Sequence, residues 1–573
     1  MKKSSKHLAF GASMLALSIL PATAYDSVTD ARLASPEPQN WLQFRGNYAG
    51  WGYSPLARIN AKNVSKLSVA WVYSTGQLEG HQSPPIVNNG LMFVTSPGNQ
   101  VIALDAKTGA ELWRYQHQVP EELMQLHPTN RGVALYGDKV YFGTTDAKLI
   151  ALDAATGKEA WQVPVADWKS GYYITLAPLA AEGKILVGSS GGELGVRGFV
   201  AAFDASTGKE AWRTFTIPAP GEPGGDSWPA DSYQRGGGST WVSGSYDPKT
   251  RTTYWGTGNA APWMPDTRPG DNLYANSVIA LDIETGKLKG FHQYHQADAW
   301  DWDEVSTPML IDYQREGKTI SGLVHAGRDG YLWLLERKPE SIGYVASWPF
   351  VRQDVFTSVD PKSGRPTYDP SKTPGTGKTV HFCPSLWGGK DWVPEAYNPQ
   401  TKLLYVPANN NLCSELTGEK VSYKAGKLYI GVALSNILTN VRMDDKALDH
   451  VGEVQAWDLS TGKQVWTHKY KEMNWGPLLT TGGDLVFGGG TNDRKFHAFN
   501  AKTGDMLWDF PTNSGVTGVP STFEIDGEQY VAVQSGWGVD AQRMQGAFDA
   551  VLPHKTVVPQ GGAIWVFKLP KQG

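Results

Sequence analysis

Six copies of Ala-x-Asp/Asn-x-x-Thr-Gly punctuate this chain, and they constrain its fold more than any other feature. They begin at Ala103, Ala151, Ala202, Ala280, Ala456 and Ala498. All but the copy at Ala280 are followed by a tryptophan, namely Trp113, Trp161, Trp212, Trp466 and Trp508. Degenerate copies, Tyr246-Asp-Pro-Lys-Thr250 and Tyr397-Asn-Pro-Gln-Thr401, lie between them. Clear neighbours start 48, 51 and 42 residues apart (103 to 151, 151 to 202, 456 to 498), the period of a propeller blade. Each unit reads as an alternating strand such as Val101-Ile-Ala-Leu104, a hairpin turn at Asp-x-x-Thr-Gly, and a next strand that ends in a tryptophan. An indole packed between adjacent blades accounts for most of the 23 tryptophans without any ligand. Removing a leader of 24 residues from 573 leaves 549, room for roughly eight blades at this period. With 64 glycines and few helical patterns, the predicted class is all-β, an eight-bladed propeller with tryptophan docking motifs. Ring closure joins first and last blades, so residues 25–573 are expected to form one domain, with Pro/Gly-rich insertions near 216–238 and 358–380.

The compartment is legible at the start of the chain. Lys2, Lys3 and Lys6 precede an apolar run from Leu8 to Leu20 and a small-residue site, Ala22-Thr-Ala24, so residues 1–24 read as a secretory signal peptide. The run is too short to span a membrane, and no later stretch is long enough. Removing three lysines moves the formal charge from −4 to −7 (49 basic against 56 acidic residues), with no basic cluster, which argues against nucleic acid as a partner. The expected location is the periplasm. After export, Cys383 and Cys413, the only cysteines, read as one disulfide. No Cys-x-x-Cys-His is present, so the chain attaches no haem covalently.

Three segments are poor packing material and good chemistry. His295-Gln-Ala-Asp-Ala-Trp-Asp-Trp-Asp303 places Asp298, Asp301 and Asp303 among tryptophans. Two carboxylates one residue apart can share a hard cation, and one can serve as a base beside it. Gly188-Ser-Ser-Gly-Gly-Glu-Leu-Gly-Val-Arg-Gly198 joins a close-approach backbone to an acid and a guanidinium, and Gly256-Thr-Gly-Asn-Ala-Ala-Pro-Trp263 presents an amide. Capped turns are the competing reading of all three.

Together these motifs and the blade repeats resemble the quinoprotein alcohol dehydrogenases, from about Asn40 to Val566. The resemblance implies an eight-bladed periplasmic propeller that uses pyrroloquinoline quinone (PQQ) and a metal ion to oxidise an alcohol. It implies Glu193, Asn259 and Asp301 as metal ligands, with Asp301 also the catalytic base and Arg328 the guanidinium that contacts the quinone oxygens. Arg131, Thr175 and Ser190 match groups that hold the cofactor carboxylates, in company with Gly191 and Gly192. Trp241 matches the indole stacked under the cofactor, Ser239 and Trp475 match further contacts, and Cys383/Cys413 match a family disulfide. Reduced cofactor would pass electrons to a separate acceptor such as cytochrome c, and the oligomeric state stays open.

The sequence also departs from the family. Gln125 and Leu126 stand where many members carry adjacent cysteines, so side chains such as Leu126 or Met124 are expected to cover that face of the cofactor. Gln82 replaces a usual glutamate and Asp391 a usual asparagine, which points to a bulkier or secondary alcohol. Asp303 supplies the extra acid that accompanies lanthanide use, and calcium and lanthanide both remain open. A non-catalytic periplasmic scaffold shares the blade repeats but has no reason to keep Glu193, Asn259, Asp301 and Arg328 together. A metal hydrolase fits the acids but neither Trp241 nor Arg131.

Overall fold

The computed structural model describes residues 25–444, 449–552 and 555–571, so the leader lies outside the described residues. The chain is an all-β propeller. Seven four-stranded sheets and one five-stranded sheet follow one another in chain order, at 86–116, 134–164, 179–215, 245–293, 309–349, 396–470, 479–511 and 521–568. Within the first seven, successive strands pair antiparallel, each with the one before it. Tyr53–Ser54 adds a parallel edge strand to the seventh. The eighth is closed differently: Ser68–Ser74, from the start of the described chain, pairs antiparallel with Ala563–Lys568.

The repeated motif has a physical explanation in the strand register. Ala103, Ala151, Ala202, Ala456 and Ala498 lie directly across from Trp113, Trp161, Trp212, Trp466 and Trp508, so a small residue makes room opposite each indole. The tryptophan therefore sits near the beginning of its return strand (Trp113 in Glu111–Gln116, for example), and not at its end as the sequence pattern suggested. In the turn, the Asp105 carboxylate accepts from the Thr108 backbone N–H and hydroxyl at 2.8 and 2.9 Å, and Asp153, Asp204 and Asp282 do the same with their threonines. Gly109 closes it at φ 77°, where a Cβ would lie 2.6 Å from the Trp71 ring of the neighbouring sheet. Trp71, Trp113, Trp212, Trp466 and Trp508 each donate their indole N–H to a carbonyl outside their own sheet, four of them in the next turn motif. Trp161 lacks this bond, and the equivalent Ala205 carbonyl accepts from the Tyr141 hydroxyl at 3.0 Å.

Elements outside the sheets are few. A three-stranded sheet, Thr379–Phe382, Leu412–Thr417 and Val441–Met443, carries a long insertion with the short helix Leu434–Ile437. Two more helices, Val539–Arg543 and Gln545–Val551, interrupt the last sheet. Cys383, just after the first of these strands, and Cys413, within the middle one, are disulfide-bonded and buried. No helix among the described residues is long and apolar enough to cross a membrane.

Candidate active site

Loops from successive sheets converge on one cavity of about 540 Å³. Backbone bridges lace them together: Tyr173 with Ser190, Arg197 with Gly237, and Gly237 with Ala260. Arg131, Thr175, Ser190, Gly191, Glu193, Trp241, Asp301, Asp303 and Arg328 all line this cavity. It joins residues separated by more than four hundred positions in sequence, from Leu126 to Met544.

The Asp301 segment shows why acids and indoles alternate. Trp300 and Trp302 stack on one another 4.9 Å apart and are fully buried, with Trp302 donating to the Ser385 carbonyl. Asp301 and Asp303 take the opposite side and enter the cavity. Asp301 holds a left-handed backbone at φ 61°, a strained conformation for a residue with a side chain. Asp298 stabilises that turn by accepting from the Asp301 and Trp302 N–H groups at 3.1 and 3.3 Å.

Arg328 ties the acids together. Its guanidinium donates to the Asp301 carbonyl and to the Asp391 carboxylate, both at 2.7 Å, and lies 3.6 Å from the Asp301 carboxylate. Burial would lower its pKa, but Asp391, Asp303 and Asp301 raise it instead. Asp303 accepts from the Trp241 indole N–H at 2.7 Å and from the Asn259 backbone N–H at 2.6 Å. Gly258 permits that approach, since a Cβ there would come within 2.3 Å of the Asp303 carboxylate. Burial pushes the Asp303 carboxyl up to about 7 against the pull of Arg328, and Glu193 adds to the rise. Asp301 is raised well above its usual range, by burial first, and by Asp303 and Glu193 in opposition to Arg328. An acid cluster this costly to ionise is what a site built for a cation looks like.

The residues present fit such an ion and a flat anionic ligand. The Asn259 Oδ1 and Asp301 Oδ1 atoms are buried without hydrogen-bond partners; Asp301 lines the cavity with Glu193, whereas Asn259 is not a lining residue and joins the site through its N–H bond to Asp303. Arg131 donates to the Thr175 hydroxyl at 2.6 Å, and that hydroxyl lies 3.2 Å from Ser190 Oγ. The Arg131 guanidinium sits between the Trp241 and Trp392 rings, 4.7 and 4.6 Å from their centres, and burial lowers its pKa to about 10. Gly192 would bring a Cβ within 3.1 Å of Ser239 Oγ, itself buried and unpartnered.

Other positions picked out in the sequence stand further back. Asp391 reaches the cavity only through Arg328. Trp475 packs against Trp387, a lining residue, with ring centres 6.2 Å apart. Gln82 is buried with its Oε1 unpartnered and is not a lining residue. Leu126 lines the cavity, whereas Met124 is half-exposed and lines a separate cleft, so of the two only Leu126 is placed to cover the site.

Several lining residues carry no local motif. His127 accepts or donates at 2.8 Å to the Tyr173 hydroxyl and faces Asp540 at 3.4 Å. Although burial opposes it, His127 holds Asp540 down at about 2. The outer wall is apolar: Trp263, Leu386, Trp387, Leu428, Ile430, Leu434, Ile437, Leu438 and Met544. Runs of Leu and Ile near 428–438 were the sole available signal, and they resemble any buried segment.

Residues 41–340 and 468–531 match the PQQ glucose/ethanol/alcohol dehydrogenase β-propeller domain. The chain is 37% identical to the quinoprotein alcohol dehydrogenase PedH of Pseudomonas putida, over all of this chain and 98% of that one. It is 36% identical to the lanthanide-dependent methanol dehydrogenase of Methylacidiphilum fumariolicum, over 93% of each. Among solved structures, a europium-containing methanol dehydrogenase superposes with a TM-score of 0.87 at 35% identity, over 94% of this chain and all of that one. Fold, cavity and full-length similarity agree that the chain belongs to the PQQ-dependent quinoprotein alcohol dehydrogenases.

Proposed function

We propose that this protein is a single-domain, eight-bladed periplasmic enzyme that oxidises an alcohol to an aldehyde or ketone by hydride transfer to PQQ, with one trivalent lanthanide ion at Glu193, Asn259, Asp301 and Asp303. The observation that carries this reading is the buried, unpartnered oxygen of Asp301 beside Arg328, in a cavity that also holds Glu193 and Asp303, with a second unpartnered oxygen on Asn259, whose N–H bonds Asp303. The eight consecutive sheets are read as the blades, docked by the indole-to-turn bonds. When bound, the quinone supplies the two-electron acceptor and the metal the Lewis acidity.

The chain's own residues supply the rest. Asp301 takes the hydroxyl proton of the alcohol, and its Oδ1, free of protein donors, is the atom placed to do so. Arg328 holds Asp301 from behind through the backbone carbonyl and offers positive charge where negative charge develops. Trp241 provides the flat face for the cofactor, fixed in its plane by the bond to Asp303. Arg131, Thr175 and Ser190 receive the cofactor's carboxylates. Three carboxylates around one ion favour a trivalent over a divalent cation, and the 36% identical relative from Methylacidiphilum fumariolicum is a lanthanide-dependent methanol dehydrogenase. The apolar outer wall suits an alcohol with a large carbon skeleton, bulky or secondary. Electrons then leave to a separate acceptor such as cytochrome c.

Reconstitution tests this. Apoprotein is loaded with PQQ and either lanthanum or calcium and assayed by dye reduction against a panel of alcohols. Activity with lanthanum and little with calcium is expected, with larger alcohols preferred to methanol. Full activity with calcium alone sinks the metal assignment, and no dye reduction with any alcohol sinks the enzyme reading.

A further inference from the structure

Behind the Asp301 turn, and outside the cavity, lies a second cluster of ionisable groups that the reaction does not touch. His295, Asp298, Glu304 and Asp329 are all fully buried. His295 Nε2 lies 3.0 Å from the Asp298 carboxylate, and its Nδ1 faces Glu304 at 3.6 Å and Asp329 at 3.7 Å. The same carboxylates hold the backbone of both catalytic turns. Asp298 accepts from the Asp301 and Trp302 N–H groups, and Glu304 accepts from the Arg328 and Asp329 N–H groups at 3.2 and 3.1 Å. Asp329 is held in turn by the Trp333 indole N–H at 2.9 Å. Gly327 lets the carboxylates crowd the second turn: a Cβ there would fall 2.4 Å from Asp329 and 2.8 Å from Glu304.

Charge balance identifies the part that His295 plays. Three carboxylates buried together need a cation among them. His325, bonded to Glu304, is not that cation: burial lowers its pKa to about 4. Lys390 is turned to Ser306 and the backbone carbonyls of Asp391 and Val393. Arg268 meets Asp298 only at its backbone carbonyl, so among the described residues His295 is the cation whose ring reaches all three carboxylates, and that ring is walled by the edges of Trp300 and Trp302.

We propose that His295 is a positioning residue of the alcohol oxidation, an imidazolium that sets the Asp301 and Arg328 turns relative to one another through Asp298 and Glu304. The inference rests on the function proposed above. Burial by itself would lower the His295 pKa, and the surrounding acids reverse this and lift it to about 10, so the ring is charged at neutral pH.

The test compares wild-type holoenzyme with His295→Leu and His295→Gln, each loaded with PQQ and lanthanum. The readouts are kcat, KM, the kinetic isotope effect on a 1,1-dideuterated alcohol, and metal content per chain. In His295→Leu, kcat falls roughly 10- to 100-fold, the size of effect seen when an outer partner of a site is removed. KM changes little and the isotope effect grows, because the displaced base slows the bond-breaking step. His295→Gln, which keeps a donor to Asp298, recovers part of kcat. A folded His295→Leu with wild-type kcat and isotope effect overturns the proposal, as does a second metal equivalent in wild type that His295→Leu loses. If His295→Leu does not fold, His295→Gln decides alone: its kcat must fall with an increased isotope effect, and wild-type values overturn the inference. Failure of both variants to fold also overturns it, since scaffolding is then all that His295 does. Wild-type holoenzyme that oxidises no alcohol sinks the proposed function itself, and an active wild type with an unaffected variant sinks this inference alone.

Discussion

Asp301 carries three burdens at one residue: a left-handed backbone, an unpartnered buried oxygen and a 3.6 Å approach to Arg328. Replacement by asparagine preserves its size and removes the base, so kcat is expected to fall by about 10²- to 10⁴-fold in the reconstituted dye assay, with the fold intact by circular dichroism. Asp303 gives a pH prediction. In the metal-free protein its carboxyl titrates near 7, well above an ordinary aspartate, and it must lose that proton to bind an ion. Because the Asp301 carboxyl is raised as well and must also lose its proton, metal affinity should weaken by at least about tenfold per unit as pH falls below 7. Calorimetric titration in buffers of different ionisation enthalpy would reveal the released proton, and affinity that is flat from pH 5 to 7 would contradict the prediction. These residues were legible because each sits in a short motif where glycine, acid and indole are adjacent in sequence. His127 was not, because the group that gives it meaning, Asp540, lies more than four hundred positions away. The position of Met124 was misjudged for a related reason: nothing local tells which of two neighbouring apolar side chains turns inward.

At the scale of elements, the insertion carrying Leu434–Ile437 is coupled to the site in two ways. Leu428, Ile430, Leu434, Ile437 and Leu438 form cavity wall, and the Tyr429 N–H donates at 2.7 Å to the backbone carbonyl of Glu193. Ile430→Ser, at a buried position of this wall, should raise KM for long or aromatic alcohols several-fold while leaving methanol nearly unchanged, since one buried apolar contact is worth about 1–3 kcal/mol. An equal change for both alcohols would show that this wall does not select substrate. The disulfide ties the middle strand of the sheet that carries this insertion to the loop after Phe382, across a sequence separation of 30. Cys383→Ser with Cys413→Ser should cost about 3–4 kcal/mol by the chain-entropy argument, seen as a lower urea midpoint. The blade repeats were legible at this scale because their period is regular, and the register explains it: alanine faces tryptophan in five sheets. The insertion was legible only as a gap in that rhythm, since its packing partners come from other sheets.

For the molecule as a whole, one pairing stands apart from the rest. Ser68–Ser74 and Ala563–Lys568 come from opposite ends of the described chain, yet they are adjacent strands in register from Ser68 with Lys568 to Ser74 with Ala563. Deleting 563–571 strips Ser68–Ser74 of its strand partner and opens Glu528–Ser535 to solvent. Such a truncation is expected to abolish cooperative thermal unfolding, and a sharp transition near that of the full chain would show that closure contributes little. The pairing also orders events in time. Six sheets are built from strands close in sequence and can form as the chain emerges, the seventh also takes Tyr53–Ser54 at its edge, and the eighth must wait for Ala563–Lys568. Until that strand exists, the earliest segment keeps a bare edge. The synthesis of the chain's beginning is therefore separated from its final burial by almost the entire time of manufacture, and any factor that shields an exposed strand has that interval in which to act.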